Sequence, residues 1–157
     1  MHGVTRIVSG GQTGGDIGGL AAGVALGIPT GGWAPRGWRT DEGPAPWLAQ
    51  FGVREHASYS YPPRTVQNVR DSDGTLWVGN PGSPGGKLTL RTTRELGKPS
   101  FVVLRNVPLS DKATQRAFRE WLVLFQIKIL NVAGNRESSS PGIGEFTRDF
   151  IVLSLRG

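Results

Sequence analysis

Three glycine-bearing segments constrain this chain more than any other feature. They read SGGQTGGD (Ser9 to Asp16), GNPGSPGGK (Gly79 to Lys87) and AGNRESSSPG (Ala133 to Gly142), each between a short apolar run and a stretch of helical periodicity. In an open parallel α/β sheet, loops at the carboxyl ends of the strands share one edge, and ligands settle there. Glycines let the backbone approach a ligand closely, and the N–H groups opening the next helix favour an anion. The pattern predicts a fold built to hold something phosphorylated or otherwise anionic.

The remaining segments suit such a fold. Val4 to Ser9 reads as a strand. A helix is expected from near Asp16, with Ile17, Leu20, Ala21, Val24 and Ala25 at helical spacing until Gly27. Ile28 to Trp33 predicts a second strand, and Pro29 makes it an edge or partial one. The irregular stretch Gly32 to Pro46 holds two tryptophans and reads as an ordered loop on the ligand side. Pro62 and Pro63 open a helix through Arg70. Gly74 to Gly79, Ser100 to Leu104 and Lys128 to Ala133 predict three more strands. Lys87 to Leu96 predicts a helix. Ser110 is expected to cap another, with Ala113, Ala117, Phe118, Trp121, Leu122 and Phe125 along one face. Gly144 to Arg156 is the last helix, whose Phe146, Phe150, Ile151 and Leu153 are expected to be available to a partner copy. The alternation predicts one α/β domain over residues 1–157, three-layered and doubly wound around a mostly parallel sheet.

Composition narrows the chemistry. The absence of cysteine excludes disulfides, thiolate catalysis and thiolate-bound metal clusters. His2 and His56 are the only histidines, too few for a multi-histidine site, and His56 reads as a surface residue. No apolar run approaches the roughly 18 residues of a membrane span, and no signal sequence opens the chain, so the cytoplasm is the expected location. The net charge of +6 suits either a nucleic-acid partner or a small anionic ligand. No two basic residues are adjacent, which favours the second.

Within the glycine segments, Gly10, Gly11, Gln12 and Thr13 match neither a Walker loop nor the dinucleotide fingerprint. Their amides and side chains could bond an anion, or the glycines could simply permit close packing. Gly85 and Gly86 precede Lys87, and a cation at a helix start opposes the dipole by about 0.3–1 kcal/mol, which a bound anion would reverse. Thr89 adds a hydroxyl. Arg136 and Ser138 suit an oxoanion. Arg36 and Arg39 stand beside Trp33 and Trp38, rings that either stack on a flat heterocycle or anchor the loop. Asp71 and Asp73 either hold a divalent cation or close a turn. No nucleophile–base pair is evident.

Together these blocks resemble the molybdenum cofactor carrier proteins, in a Rossmann-like superfamily shared with the lysine-decarboxylase-like phosphoribohydrolases and the DNA-processing protein DprA. The blocks are SGGQTGGD, GWAPRG with EGP following, RTVQNVRDSDGTL, PGGKLT, LGKP and LNVAGNRESSSPGI, in the family's order over nearly the whole chain. The resemblance implies a homo-oligomeric α/β domain holding molybdenum cofactor (molybdopterin, a phosphorylated pterin with a metal-bearing dithiolene) as cargo for molybdoenzymes, without transforming it. It implies contacts from Gly10, Gly11, Gln12, Thr13, Arg36, Arg64, Thr65, Asn68, Gly85, Gly86 and Thr89. Gly15 and Ile17 depart from the family's GGQTGVDRA, and Lys87 stands where relatives tend to have threonine.

Two alternatives come from the same superfamily. The phosphoribohydrolases carry PGGxGTxxE, and aligning Pro84-Gly85-Gly86 puts Leu88 on the third glycine, Thr89 on the threonine and Thr92 on the glutamate. Threonine cannot serve as a carboxylate acid or base, although Glu137 could substitute in a nucleoside-5′-monophosphate hydrolase. A single-stranded nucleic-acid binder is the third reading, resting on charge alone.

Overall fold

The computed structural model describes residues 2–156. Six strands form one parallel sheet: β1 (Arg6–Val8), β2 (Thr30–Ala34), β5 (Val53–Glu55), β6 (Gly74–Val78), β7 (Ser100–Val103) and β8 (Ile129–Gly134). Their order is β5-β2-β1-β8-β6-β7. A two-residue antiparallel pair, β3 (Arg39–Thr40) with β4 (Gly43–Pro44), makes a small hairpin, followed by a 3₁₀ helix at Pro46–Phe51. The helices are α1 (Gly15–Leu26), α2 (Tyr61–Asp71), α3 (Pro84–Glu95), α4 (Lys112–Leu124) and α5 (Ile143–Arg156). The fold is therefore the expected mostly parallel, Rossmann-like α/β sheet between helical layers. The chain runs outward from β1 through β2 to β5, crosses to β6 and β7, and returns to β8. That leaves a crevice at the carboxyl ends of β1, β8 and β6.

The two faces of the sheet differ in chemistry. Ile7, Leu76, Val78, Leu130 and Val132 join Phe118, Leu122, Phe150 and Ile151 of α4 and α5 in one apolar core. Side chains alternate along a strand, so Thr75, Trp77 and Asn131 face the other way, where Asn131 Nδ2 donates to Thr75 Oγ1 at 3.2 Å. There α2 and α3 present buried Arg64, Thr65, Asn68, Thr89, Thr92 and Thr93. One face stabilises the fold, while the polar face leads to the crevice.

Several expectations need correction. β2 is internal, because β5 pairs outside it; Pro29 lies before the strand, where its missing N–H costs no ladder bond. The α1 face read from its large residues is buried only in part: Leu20 is buried and Ile17 and Ala21 are half-buried, but Val24 and Ala25 are exposed, and Gly15, Gly18, Gly19 and Gly23 are buried. A Cβ on Gly18 would meet Gly144 O and, at 2.7 Å, Thr147 Cβ, so Gly18 sets how closely α1 lies on α5, while Gly15 and Gly19 face β8. Asp111, not Ser110, caps α4, accepting from the N–H groups of Ala113 and Thr114. Ala113, Ala117 and Phe125 are exposed, while Gln115, Phe118, Trp121 and Leu122 are buried. On α5, Phe146, Phe150 and Ile151 fill the chain's own core, and only Leu153 of the four is exposed. Gly85 and Gly86 lie inside the first turn of α3 rather than in a preceding loop, since Ser83 caps the helix and Pro84 opens it.

Candidate ligand-binding site

A cavity of about 300 Å³ opens at the crevice, between the carboxyl ends of β1, β8 and β6 and the first turns of α2 and α3. Of the residues singled out in the sequence, Gln12, Arg64, Thr65, Gly85, Thr89 and Arg136 line it. Asp16, Ser83, Asn135 and Ser139, all within the three glycine segments, line it too, and so do Tyr61, Trp77 and Leu88, which sequence reasoning did not place there. Two guanidinium groups against one carboxylate leave the cavity net positive.

The other candidates stand elsewhere. Gly10 backs the Arg64 guanidinium, which leaves no room for a side chain at that position, and Gly11 packs on Leu48. Thr13 and Ser138 both donate their hydroxyls to Asp41 at 2.8 Å. Asn68 clamps the backbone of Trp33, accepting from its N–H at 2.9 Å and donating to its carbonyl at 3.0 Å. Arg36 and Lys87 are exposed and away from the cavity, and Gly86 is buried with its N–H on the Ser83 hydroxyl. Neither Trp33 nor Trp38 reaches it. Trp33 donates to Asp71 and lies under Arg54, while Trp38 packs beside Leu48. The aromatic residues at the site are Tyr61 and Trp77.

The helix N-termini are not the anion grip that the glycine segments suggest. Those of α3 and α5 are filled by side chains of the protein, whereas at α1 no side chain caps the helix and Asp16 instead takes amides of the neighbouring loops. Asp16, 3% exposed, accepts from Gln12 N–H at 3.1 Å, and the N–H groups of Gly134 and Gly10 also stabilise its charge. Ser83 Oγ accepts from Gly86 N–H at the start of α3. At α5, Glu137 accepts from the N–H groups of Gly142 and Gly144. Capping of this kind satisfies the orphan amides internally. Positive character at the cavity therefore comes from arginine.

Arg64 is the buried one, 9% exposed, with Nη1 at 3.8 Å from Asp16 Oδ2 and at 3.0 Å from Thr65 Oγ1. Burial pushes the Asp16 carboxyl above its ordinary range, opposed by Arg64 and by the backbone donors. Burial likewise lowers Arg64, opposed by Asp16 and Tyr61. Arg39, Arg64 and Arg136 converge on the Tyr61 ring, at 4.2, 5.5 and 5.2 Å from its centroid. Basic residues scattered in sequence are thus gathered beside the cavity by the fold. Three donors on the cavity-lining residues, Gln12 Nε2, Arg64 Nε and Trp77 Nε1, are buried without a partner among the described residues.

The hairpin acts as a clasp beside the cavity. Asp41 N–H donates to Gln12 Oε1 at 3.0 Å, and its carboxylate takes the Thr13 and Ser138 hydroxyls from two different loops. Asp71 and Asp73 are committed to structure: Asp71 accepts from Trp33 and Gln67, and Asp73 from the N–H groups of Lys128 and Ile129. Among the described residues no group of three or more His, Asp or Glu is placed to hold a metal ion. Among them also, no helix is long and apolar enough to cross a membrane.

Comparison with known proteins agrees with this architecture. A crystal structure at 1.45 Å of a protein from Syntrophus aciditrophicus SB, named a putative molybdenum carrier protein, superposes with a TM-score of 0.90. The two share 32% identity over 98% of this chain and 96% of that one. No curated protein matches. The model of the Circularly permutated YpsA SLOG family matches residues 7–155. With its sheet order, its crevice and that match over nearly its whole length, the chain belongs to the circularly permutated YpsA SLOG family.

Proposed function

We propose that this protein binds and carries molybdenum cofactor, or a closely related anionic pterin, in the cavity at the ends of β1, β8 and β6. The observation that carries the reading is the net positive cavity, in which buried Arg64 and the more exposed Arg136 outnumber Asp16. The neighbour's name, a molybdenum carrier, and the shared family support a ligand-carrying role, and the resemblance of the sequence blocks supports the cofactor as the form carried. A guanidinium is suited to fork onto phosphate or metal-oxo oxygens, and Tyr61 offers a ring face. Gln12, Arg64, Thr65, Gly85, Thr89 and Arg136 are the contacts from the sequence reading that this proposal retains. Cytoplasmic operation, self-association and delivery to molybdoenzymes belong to the same proposal.

The way three side chains are engaged favours carriage over catalysis. Asp16 is held by backbone donors, Glu137 is fixed on α5, and Thr92 donates its hydroxyl to Leu88 O. Asp16, the one of these three that lines the cavity, is engaged as the counter-charge of Arg64. The test is to incubate the protein anaerobically with cofactor released from a molybdoenzyme, pass it over a sizing column, and assay the protein peak for molybdenum and oxidised pterin. Co-elution of both supports the reading. A protein peak without either, or release of free base from nucleoside 5′-monophosphates, would replace it with another.

A further inference from the structure

We infer that the inner end of the cavity is a subsite for an acceptor-only group, an oxoanion such as a phosphate ester, held by Trp77 Nε1, Gln12 Nε2 and Arg64 Nε. A phosphorylated ring ligand would enter oxoanion first and leave its ring at the mouth. This inference rests on the ligand-binding reading above and specifies which end of the ligand goes where.

The three donors sit on residues that are 2, 5 and 9% exposed, and none has a partner among the described residues. Buried donors are nearly always paired in folded proteins. Three unpaired on the lining of one cavity point to a bound group that supplies acceptors. Several acceptors there are already engaged. Gln12 Oε1 takes the N–H groups of Thr13 and Asp41, which turns its Nε2 away from them. Asp16 takes Gln12 N–H, and Thr65 Oγ1 takes Arg64. The pyrimidine edge of a pterin or guanine alternates donors with acceptors, so at this end its N–H groups would oppose N–H groups. An oxoanion offers acceptors alone, and charge-assisted bonds from guanidinium strengthen it. Half-buried Tyr61 and exposed Arg136 are the remaining surfaces for a ring.

The experiment uses the indole N–H signals of ¹⁵N-labelled protein, with the Trp77 signal assigned from Trp77→Phe. The probes are inorganic phosphate, 6-hydroxymethylpterin and its phosphate ester. Phosphate and the ester are expected to move the Trp77 indole proton downfield, and the unphosphorylated pterin to leave it in place. Trp77→Phe is expected to weaken the ester about tenfold without changing the unphosphorylated pterin, since one bond to a charged acceptor is lost. Gln12→Glu, which puts an acceptor where a donor stood, gives the same discrimination should the Phe variant not fold. The inference is overturned if phosphate leaves the Trp77 signal unmoved, or if the unphosphorylated pterin moves it as far as the ester does. A shift with phosphate and no binding of either pterin upholds the subsite and removes the pterin reading of the cavity.

Discussion

Asp16 and Arg64 face each other at 3.8 Å in the wall of the cavity, and the two are unequally satisfied. The carboxylate is surrounded by backbone donors, whereas Arg64 keeps a buried Nε with no partner among the described residues. The pair is better read as a built-in counter-charge than as a strong ion pair. Asp16 holds the guanidinium at the cavity, and the guanidinium retains capacity for a ligand.

Removing one member should expose that division. Arg64→Ala leaves a buried carboxylate short of its cation and is expected to cost up to about 3 kcal/mol, the lower end for breaking a buried pair. Adding Asp16→Asn should restore part of the stability without restoring anion binding. Urea denaturation of the three proteins checks this; additive losses would mean that the two side chains do not interact.

The pH dependence of stability carries a definite sign. The Asp16 carboxyl is raised above 3.8, so the folded protein holds this proton more tightly than the unfolded chain. Stability contributed by Asp16 relative to Asp16→Asn should therefore fall as pH rises from about 3.8 through the folded value, then level off. Denaturation midpoints across that window, converted to free energies, test it. A difference that grows with pH would show that Arg64 and the amides outweigh burial.

The close approach of α1 to α5 makes a prediction against helix propensity. Alanine exceeds glycine by about 1 kcal/mol in a helix interior. Gly18→Ala should nevertheless destabilise by about 1–3 kcal/mol, because its Cβ would strike Thr147 and the Gly144 carbonyl. Thermal melts of Gly18→Ala beside wild type decide which effect wins.

The clasp at Asp41 predicts a local effect. Asp41→Ala removes the acceptor for Thr13 and Ser138, exposed bonds of about 0.5–1.5 kcal/mol each. Amide exchange should quicken in residues 39–44 and around Gln12, with the central strands unaffected. Unchanged exchange in the hairpin would mean that the hydroxyl contacts do not hold it.

How far the sequence reveals this molecule depends on what each signal measures. The strands β6 and β8 were legible because buried parallel strands are continuous apolar runs. β5 was not, since only Val53 of its three residues is buried and no alternation can be counted. Periodicity weights large residues, so on α1 it caught Leu20 but missed the glycines that make up most of the packed face. The three glycine segments did meet at one crevice, but chain chemistry near them looks alike whether an amide is offered to a ligand or taken by a side chain such as Ser83 or Glu137. Trp77 was hidden for a related reason: in GTLWV it reads as core, and only the fold shows its indole N–H without a partner.

The most direct test of the account is an anaerobic titration of molybdenum cofactor into wild type and into Arg64→Ala/Asp16→Asn by equilibrium dialysis. Wild type should bind one cofactor per chain, and the folded double variant should bind at least about 30-fold more weakly, the loss of roughly 2 kcal/mol expected for bonds to a charged group. Equal affinity in the two proteins would contradict the claim that Arg64 and its cavity hold the ligand.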